Sequence, residues 1–390
     1  MKITKIDLLY SAPVEDGWRP SFCRIYTDNG LYGDGEVALS YGAVRHAAFA
    51  EMRDLAPMLI GMNPLEHEVI WEKLYRQSFF GLNAGPVIFG AISAFDMALW
   101  DIKGKYYNAP LHELLGGKQR RQVRAYASQL QMGWGVGRHH AGNPEDYAAN
   151  TQIAMNKGFD AVKINFLTFD EQGQPIKHNN QENLLTTAYL DLAERRLQAV
   201  RHVLGSKADL ILENHALTGK MAAIRFGQLA KQYAPLYYEE PVKPDPSLLA
   251  TVHHETGLPI ASGERLYSRW DFKRTFDQGA IQVAQPDIGT AGGVTEVKKI
   301  CDMAATSDIG VQIHITGSNL MTAVSLNLES TLPNFVIHEY NINTAMPKML
   351  ALTKYDYEPI NGELTVPDRP GIGNELSTVA FRNSQIVTVK

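Results

Sequence analysis

Glu213, Glu239 and Glu264 each stand at or close to the end of a short apolar run, and Asp287, His314 and Glu339 do the same further along. From Glu213 onward the intervals between these residues are 26, 25, 23, 27 and 25. Each interval is the length of one strand, one helix and their connections. In parallel β/α architectures the C-terminal strand ends face a common cavity, so side chains far apart in sequence converge there. Three carboxylates on successive ends supply hard oxygen ligands to one cation. Mg²⁺ suits such a set, because it prefers octahedral oxygen coordination and keeps positions open for water or substrate. Any one of these glutamates taken alone is as well explained as a solvated strand terminus or half of a salt bridge. Three together would repel strongly without a cation.

Asp287 and His314 end consecutive strand candidates, an arrangement in which a carboxylate orients an imidazole that works as a general base. His215 lies two positions after Glu213, on the same side of an extended strand. It is placed to donate a proton to a group leaving beside the cation, or it is a buried structural histidine. Glu339, if held protonated, could hydrogen-bond an oxyanion; its plainer alternative is an ion pair with a lysine or arginine. Lys163 either raises the electropositive character next to the metal or caps a strand end, and Asn165 follows it on the same face as a substrate contact. Trp18, in the loop 14–20, either closes over substrate and excludes water or packs between domains.

The elements that must hold these residues are legible in the hydrophobic rhythm. Eight strand candidates run from 123 to 340: Val123–Ser128, Ala161–Phe166, Asp209–His215, Pro235–Pro241, Pro259–Glu264, Ile281–Asp287, Val311–Thr316 and Phe335–Tyr340. Helix-length segments separate them, and eight strands are the number that barrel closure needs. The polar stretch Asp170–Asn183 reads as an excursion from the core. Before the barrel, Lys2–Tyr10 and Ser21–Thr27 alternate like strands around the glycine-rich turn Gly30–Gly35, and Val87–Tyr106 carries Ile92, Phe95, Leu99 and Ile102 at helical spacing. The expected division is an α+β domain over residues 1–122, a barrel over 123–355, and a strand-and-turn segment, 356–390, that packs on the first domain.

Composition excludes other classes. The 390 residues, 45% hydrophobic and 20% charged, fit a globular chain with a sizeable core. A net charge of −5, with scattered Lys and Arg, offers no footprint for nucleic acid or an acidic membrane. Cys23 and Cys301 have neither metal-site nor disulfide-framework spacing, so a cytoplasmic location is expected. No apolar run suits a signal peptide or a membrane span.

With these residues in view, the chain resembles the mandelate racemase subgroup of the enolase superfamily along nearly its whole length. The resemblance is carried by Gly30-Leu-Tyr-Gly-Asp-Gly-Glu36, Ser93-Ala-Phe-Asp-Met-Ala-Leu-Trp-Asp-Ile-Lys-Gly-Lys105, Glu239-Glu-Pro241, Gly263-Glu264, Gln285-Pro-Asp287, Gly292-Gly-Val-Thr295 and Pro370-Gly-Ile-Gly373. Gly263–Lys273 and Glu213-x-His215 are further similar to the galactonate- and mannonate-type acid-sugar dehydratases within it. The resemblance implies an α/β fold, a TIM-like (β/α)7β barrel with an α+β capping domain formed by the N-terminal region and the C-terminal tail. It implies Glu213, Glu239 and Glu264 as Mg²⁺ ligands, Asp287–His314 as the base pair, His215 as the acid and Glu339 as the electrophilic partner. Asn165 stands where racemases of the subgroup have a second lysine, which disfavours two-base racemisation. Glu213 replaces the aspartate usual in galactonate dehydratases, and Leu217-Thr-Gly219 replaces their Gly-Arg element.

The implied reaction is removal of a proton α to a carboxylate by His314, with His215 protonating the departing C3 hydroxyl to give a 2-keto-3-deoxy acid. The expected substrate is an aldonate, D-galactonate first, and a homo-oligomer is the expected assembly. Two alternatives stay open at this stage: an epimerase or cycloisomerase of a related acid, and a non-catalytic sugar-acid-binding protein that keeps the fold.

Overall fold

The computed structural model describes residues 1–83, 85–134, 139–176 and 183–390. Three antiparallel strands open the chain: β1 (Ile3–Ser11), β2 (Ser21–Thr27) and β3 (Tyr32–Val37). The last strand of the chain, Ser384–Val389, joins the free edge of β1. Period-2 alternation divides β1 between two cores: Ile6, Leu8 and Tyr10 pack with the helix Pro86–Tyr107, whereas Leu9 joins the barrel core. That helix has Pro86 in its first turn, where no N–H partner is needed, and ends at Asn108 in the left-handed conformation (φ 51°). It is buried nearly all round because it is sandwiched between the sheet and the barrel. The glycines of the Gly30–Glu36 motif make this possible. A Cβ on Gly33 would sit 2.1 Å from the carbonyl oxygen of Ala98, and one on Gly35 would sit 1.9 Å from that of Ala94.

Eight parallel strands follow: β4 (Gln122–Ser128), β5 (Ala161–Ile164), β6 (Asp209–Glu213), β7 (Tyr237–Glu239), β8 (Ile260–Ser262), β9 (Val283–Ala284), β10 (Gly310–Val311) and β11 (His338–Asn341). Each lies within or overlaps one expected segment, and each of the first seven is followed by a helix. Their order in the curled sheet is β10-β9-β8-β7-β6-β5-β4-β11. A parallel bridge between Val311 and Phe335, with Val311 N–H donating to Asn334 O and Val336 N–H to Val311 O (both 2.8 Å), links the two ends of that order. The hydrogen-bonded strands are shorter than the apolar runs suggested. The chain splays past β9 and β10, so Asp287 and His314 lie beyond the ladder, joined by an isolated parallel bridge.

The segment Glu363–Thr365 pairs antiparallel with β4. Among the described residues no helix is long and apolar enough to cross a membrane. Of the expected excursion Asp170–Asn183, residues 177–182 lie outside the described residues, while Phe169 and Pro175 form a bridge. The base of this excursion is fastened by Arg196, which is wholly buried. Among the described residues its guanidinium donates only to backbone carbonyls: Gly142 O (2.8 Å), Phe166 O (2.8 Å) and Asp170 O (2.9 Å).

Candidate active site

Glu213 and Glu239 are register partners on β6 and β7, so their side chains emerge together at the same end of the sheet. Lys163, on β5, reaches between them and across to β11. Its ammonium lies 2.7 Å from Glu239, 3.0 Å from Glu339 and 3.2 Å from Glu213, and all four side chains are only 1% exposed. Burial disfavours the lysine's charge, but Glu239, Glu339 and Glu213 outweigh it and raise its pKa well above the ordinary value. Burial and the neighbouring Glu213 push Glu239 well up, and burial and Glu264 push Glu213 up. Glu339 behaves oppositely. Despite its burial, Lys163 and His314 hold its pKa below the usual carboxylate range, and it accepts from Ser128 Oγ (2.7 Å) and Ile315 N (3.1 Å). The ion-paired alternative is the one observed.

His314 and Asp287 meet as a pair, Nδ1 to Oδ2 at 2.7 Å. The other ring nitrogen, Nε2, lies 3.0 Å from Glu264. Burial opposes the imidazolium, yet Glu264 and Asp287 raise its pKa well above the ordinary value, while His314 draws that of Glu264 down to about 2. Glu264 is also paired with Arg265, which in turn holds Glu240.

His215 has left its strand. The expected segment Asp209–His215 stops being extended at Glu213, because His215 and Ala216 adopt positive φ (49° and 56°) and the His215 N–H turns back to donate to Glu213 Oε1 (2.7 Å). The ring still enters the site, with Nε2 4.0 Å from Glu213. Gln129 and Asn165 contact its two nitrogens at 3.1 and 3.3 Å. Burial lowers its pKa to about 4, so the resting imidazole is neutral. Trp18 stacks on Tyr41 (centroids 5.1 Å apart, 25° between planes) and is half-buried against the barrel core.

Two of the three glutamates present free oxygen donors of the kind a hard divalent cation takes, while Glu264 is engaged by His314 and Arg265. Glu213 Oε2 and Glu239 Oε2 are buried and accept no hydrogen bond, although the first is close to the Lys163 ammonium. Buried carboxylate oxygens without donors are costly unless a cation meets them. Among the described residues no three acidic, imidazole or thiol groups stand together closely enough to hold a metal ion as placed. Lys163 stands between Glu213 and Glu239, and Arg265 pairs with Glu264 from the side of Glu240.

Sequence reasoning missed Tyr41, Gln129, Arg265 and Glu36. Tyr41, 45% exposed, borders the site, where partial burial and the charge of Glu264 raise the pKa of its phenol. Gln129, at φ 65°, lies just past the end of β4. None of them falls on the strand-end period that revealed the others, although Arg265 directly follows a residue that does.

Residues 19–116 match the mandelate racemase / muconate lactonizing enzyme N-terminal domain, and residues 146–380 match the enolase C-terminal domain-like family. The chain is 33% identical over 388 residues to D-galactonate dehydratase of Pectobacterium atrosepticum, covering 97% of this chain and 92% of that protein. A crystal structure of an enolase-superfamily member from Salmonella Typhimurium covers the whole of both chains at 42% identity with a TM-score of 0.97. The 3,6-anhydro-D-galactonate cycloisomerase of Zobellia galactanivorans, at 28% identity, covers 99% of this chain and 100% of its own with a TM-score of 0.83.

Proposed function

The chain belongs to the enolase superfamily, and from that premise we propose that it is an acid-sugar dehydratase that converts an aldonate, D-galactonate first, to a 2-keto-3-deoxy acid with Mg²⁺ bound. The observation that carries this reading is the placement of two imidazoles in one buried, carboxylate-lined site, His314 braced by Asp287 and His215 braced by Gln129 and Asn165.

Glu213, Glu239 and Glu264 are the residues that would hold the cation. When bound, Mg²⁺ supplies Lewis-acid stabilisation of charge developing on the substrate carboxylate. His314 works as the base in its neutral form, with Nε2 free for the C2 proton once the charge of Glu264 is taken up by the cation, while Asp287 fixes the tautomer and orientation through Nδ1. Glu264 faces that same nitrogen at 3.0 Å, so a Glu264 committed as a ligand frees Nε2 from its present partner. His215 acts as the imidazolium, a form that the charges of Glu264 and Glu239 favour against burial, and returns to neutral imidazole as it gives its proton to the breaking C3–O bond, so hydroxide leaves as water and the enol left behind tautomerises to the ketone. Lys163 and Glu339 supply fixed charge at the floor of the site, and Trp18 with Tyr41 limits water entry. The parallel strand order and the Val311–Phe335 bridge support a complete (β/α)7β barrel over 123–355, capped by 1–122 and 356–390.

The test is a screen of the purified, Mg²⁺-loaded protein against a stereochemically complete set of aldonic and aldaric acids, detecting 2-keto-3-deoxy products. Turnover of an aldonate that EDTA abolishes is the expected result. Isomerised product with no water lost, or no product in folded, metal-loaded protein, would overturn it.

A further inference from the structure

The motif Gly30–Glu36 ends in a carboxyl that takes no part in the chemistry described above. Glu36 sits fully buried on β3, and its side chain leaves its own layer. Oε1 accepts from the Ser318 N–H (3.0 Å) and Oε2 from Ser318 Oγ (2.5 Å). Ser318 is the N-cap of the helix Asn319–Glu329 and lies four residues after His314. Two further contacts come from the same end of β3. Thr316 Oγ1 donates to Ala38 O (3.2 Å), and Ala38 N–H donates to Gly289 O (3.3 Å). Gly289 N–H in turn donates to Asp287 Oδ1 (2.6 Å). The approach is so close that a Cβ on Gly289 would lie 2.6 Å from that of Ala38. The first domain thus touches both turns that carry the base pair, one just after Asp287 and one just after His314.

We propose that Glu36 is a positioning residue for proton abstraction: it clamps the turn 315–318 so that His314 stays aligned on Asp287. The inference rests on the dehydratase reading. Glu36 does not touch substrate; it acts through Ser318 on the path of the backbone that follows His314. Burial and the two donors of Ser318 act oppositely on its charge. Burial pushes its pKa up to about 8, with the charge of Asp287 adding to the effect. Ser318 and Gly317, which meet it from the barrel side, carry no charge, and Asp287 is the charged group that faces it. Loss of its proton would set a second negative charge beside Asp287.

Glu36→Gln keeps the shape and the acceptor oxygen and cannot ionise. Glu36→Ala removes the clamp. Glu36→Asp, one methylene shorter, replaces Glu36→Ala should that variant not fold. Each is measured for kcat, KM and pH profile, and for amide hydrogen exchange across 312–320. The expected result for Glu36→Ala is a kcat at least about tenfold lower with KM changed less than about threefold, and faster exchange at 315–318. Glu36→Gln should match the unmodified enzyme at pH 7 and retain more of its activity above pH 8. Unchanged exchange and kcat in Glu36→Ala overturn the proposal, as does a Glu36→Gln variant as impaired as Glu36→Ala. The exchange measurement does not need turnover, so it reads the clamp even if no sugar acid proves to be a substrate.

Discussion

Lys163 Nζ and Glu239 Oε1 form a 2.7 Å hydrogen bond in which neither side chain is more than 1% exposed. The ammonium also neutralises Glu213 and Glu339, so it holds the carboxylate cluster together without a metal. Removing one partner of a buried ion pair costs ~3–5 kcal/mol, because the remaining charges are left uncompensated. Lys163→Met should lose about that much unfolding free energy in EDTA, measured by denaturant titration, and Mg²⁺ should restore much of it. Equal stability of the two proteins in EDTA would show that the carboxylates do not depend on the lysine.

His314→Asn should lower kcat by about 10²–10⁴-fold, the range for loss of one positioned acid–base group, with little change in KM. Circular dichroism should show the same fold, since Asn retains a polar group beside Asp287. Residual activity within tenfold of the unmodified enzyme would remove His314 from the role of base.

Asp96 links the long capping helix to the barrel by accepting from Thr295 N–H (2.9 Å) and Thr295 Oγ1 (2.5 Å). Burial raises its pKa to about 7 from an unfolded value of 3.8. For a group raised on folding, the stabilisation linked to its protonation is complete below the unfolded pKa and is lost as pH rises through the folded one. The stability of the unmodified protein relative to Asp96→Asn should therefore fall between pH 4 and 7, by on the order of 4 kcal/mol. A stability difference independent of pH over that range would contradict the assignment.

Trp18 and Tyr41 form one stacked wall at the domain boundary. If that wall covers substrate, Trp18→Ala should raise KM roughly tenfold, about 1.4 kcal/mol of binding shared by ground and transition states, with kcat less affected. Trp18→Phe should recover most of it. A lowered melting temperature with no change in KM would instead mark Trp18 as interdomain packing.

The sequence made some of this site legible and concealed the rest for identifiable reasons. Glu213, Glu239, Glu264, Asp287, His314 and Glu339 could be found because a repeating strand–helix unit turns sequence spacing into spatial convergence. His215 was found for a reason that proved incomplete. The period-2 argument placed it on a strand face, whereas a local turn with positive φ brings its ring into the site. The charge state of Glu339 was not accessible from its type, because it depends on a lysine that approaches from a different strand. Glu36 belongs to a motif visible in the sequence, but its partner Ser318 lies in a different layer, and no periodicity connects the two. The barrel strands themselves were overextended. Hydrophobicity reports burial, and at β9 and β10 burial continues after the hydrogen-bonded ladder has stopped.

The way Arg196 is satisfied has a consequence for substitution. Its guanidinium grips the carbonyls of Gly142, Phe166 and Asp170, atoms that every amino acid possesses. The grip does not depend on which side chain Asp170 carries, whereas Gly142 must stay small, since a Cβ there would lie 2.5 Å from Glu171 O, and Phe166 is fixed by its place in the core. Such an anchor separates the path of a loop from its chemical content.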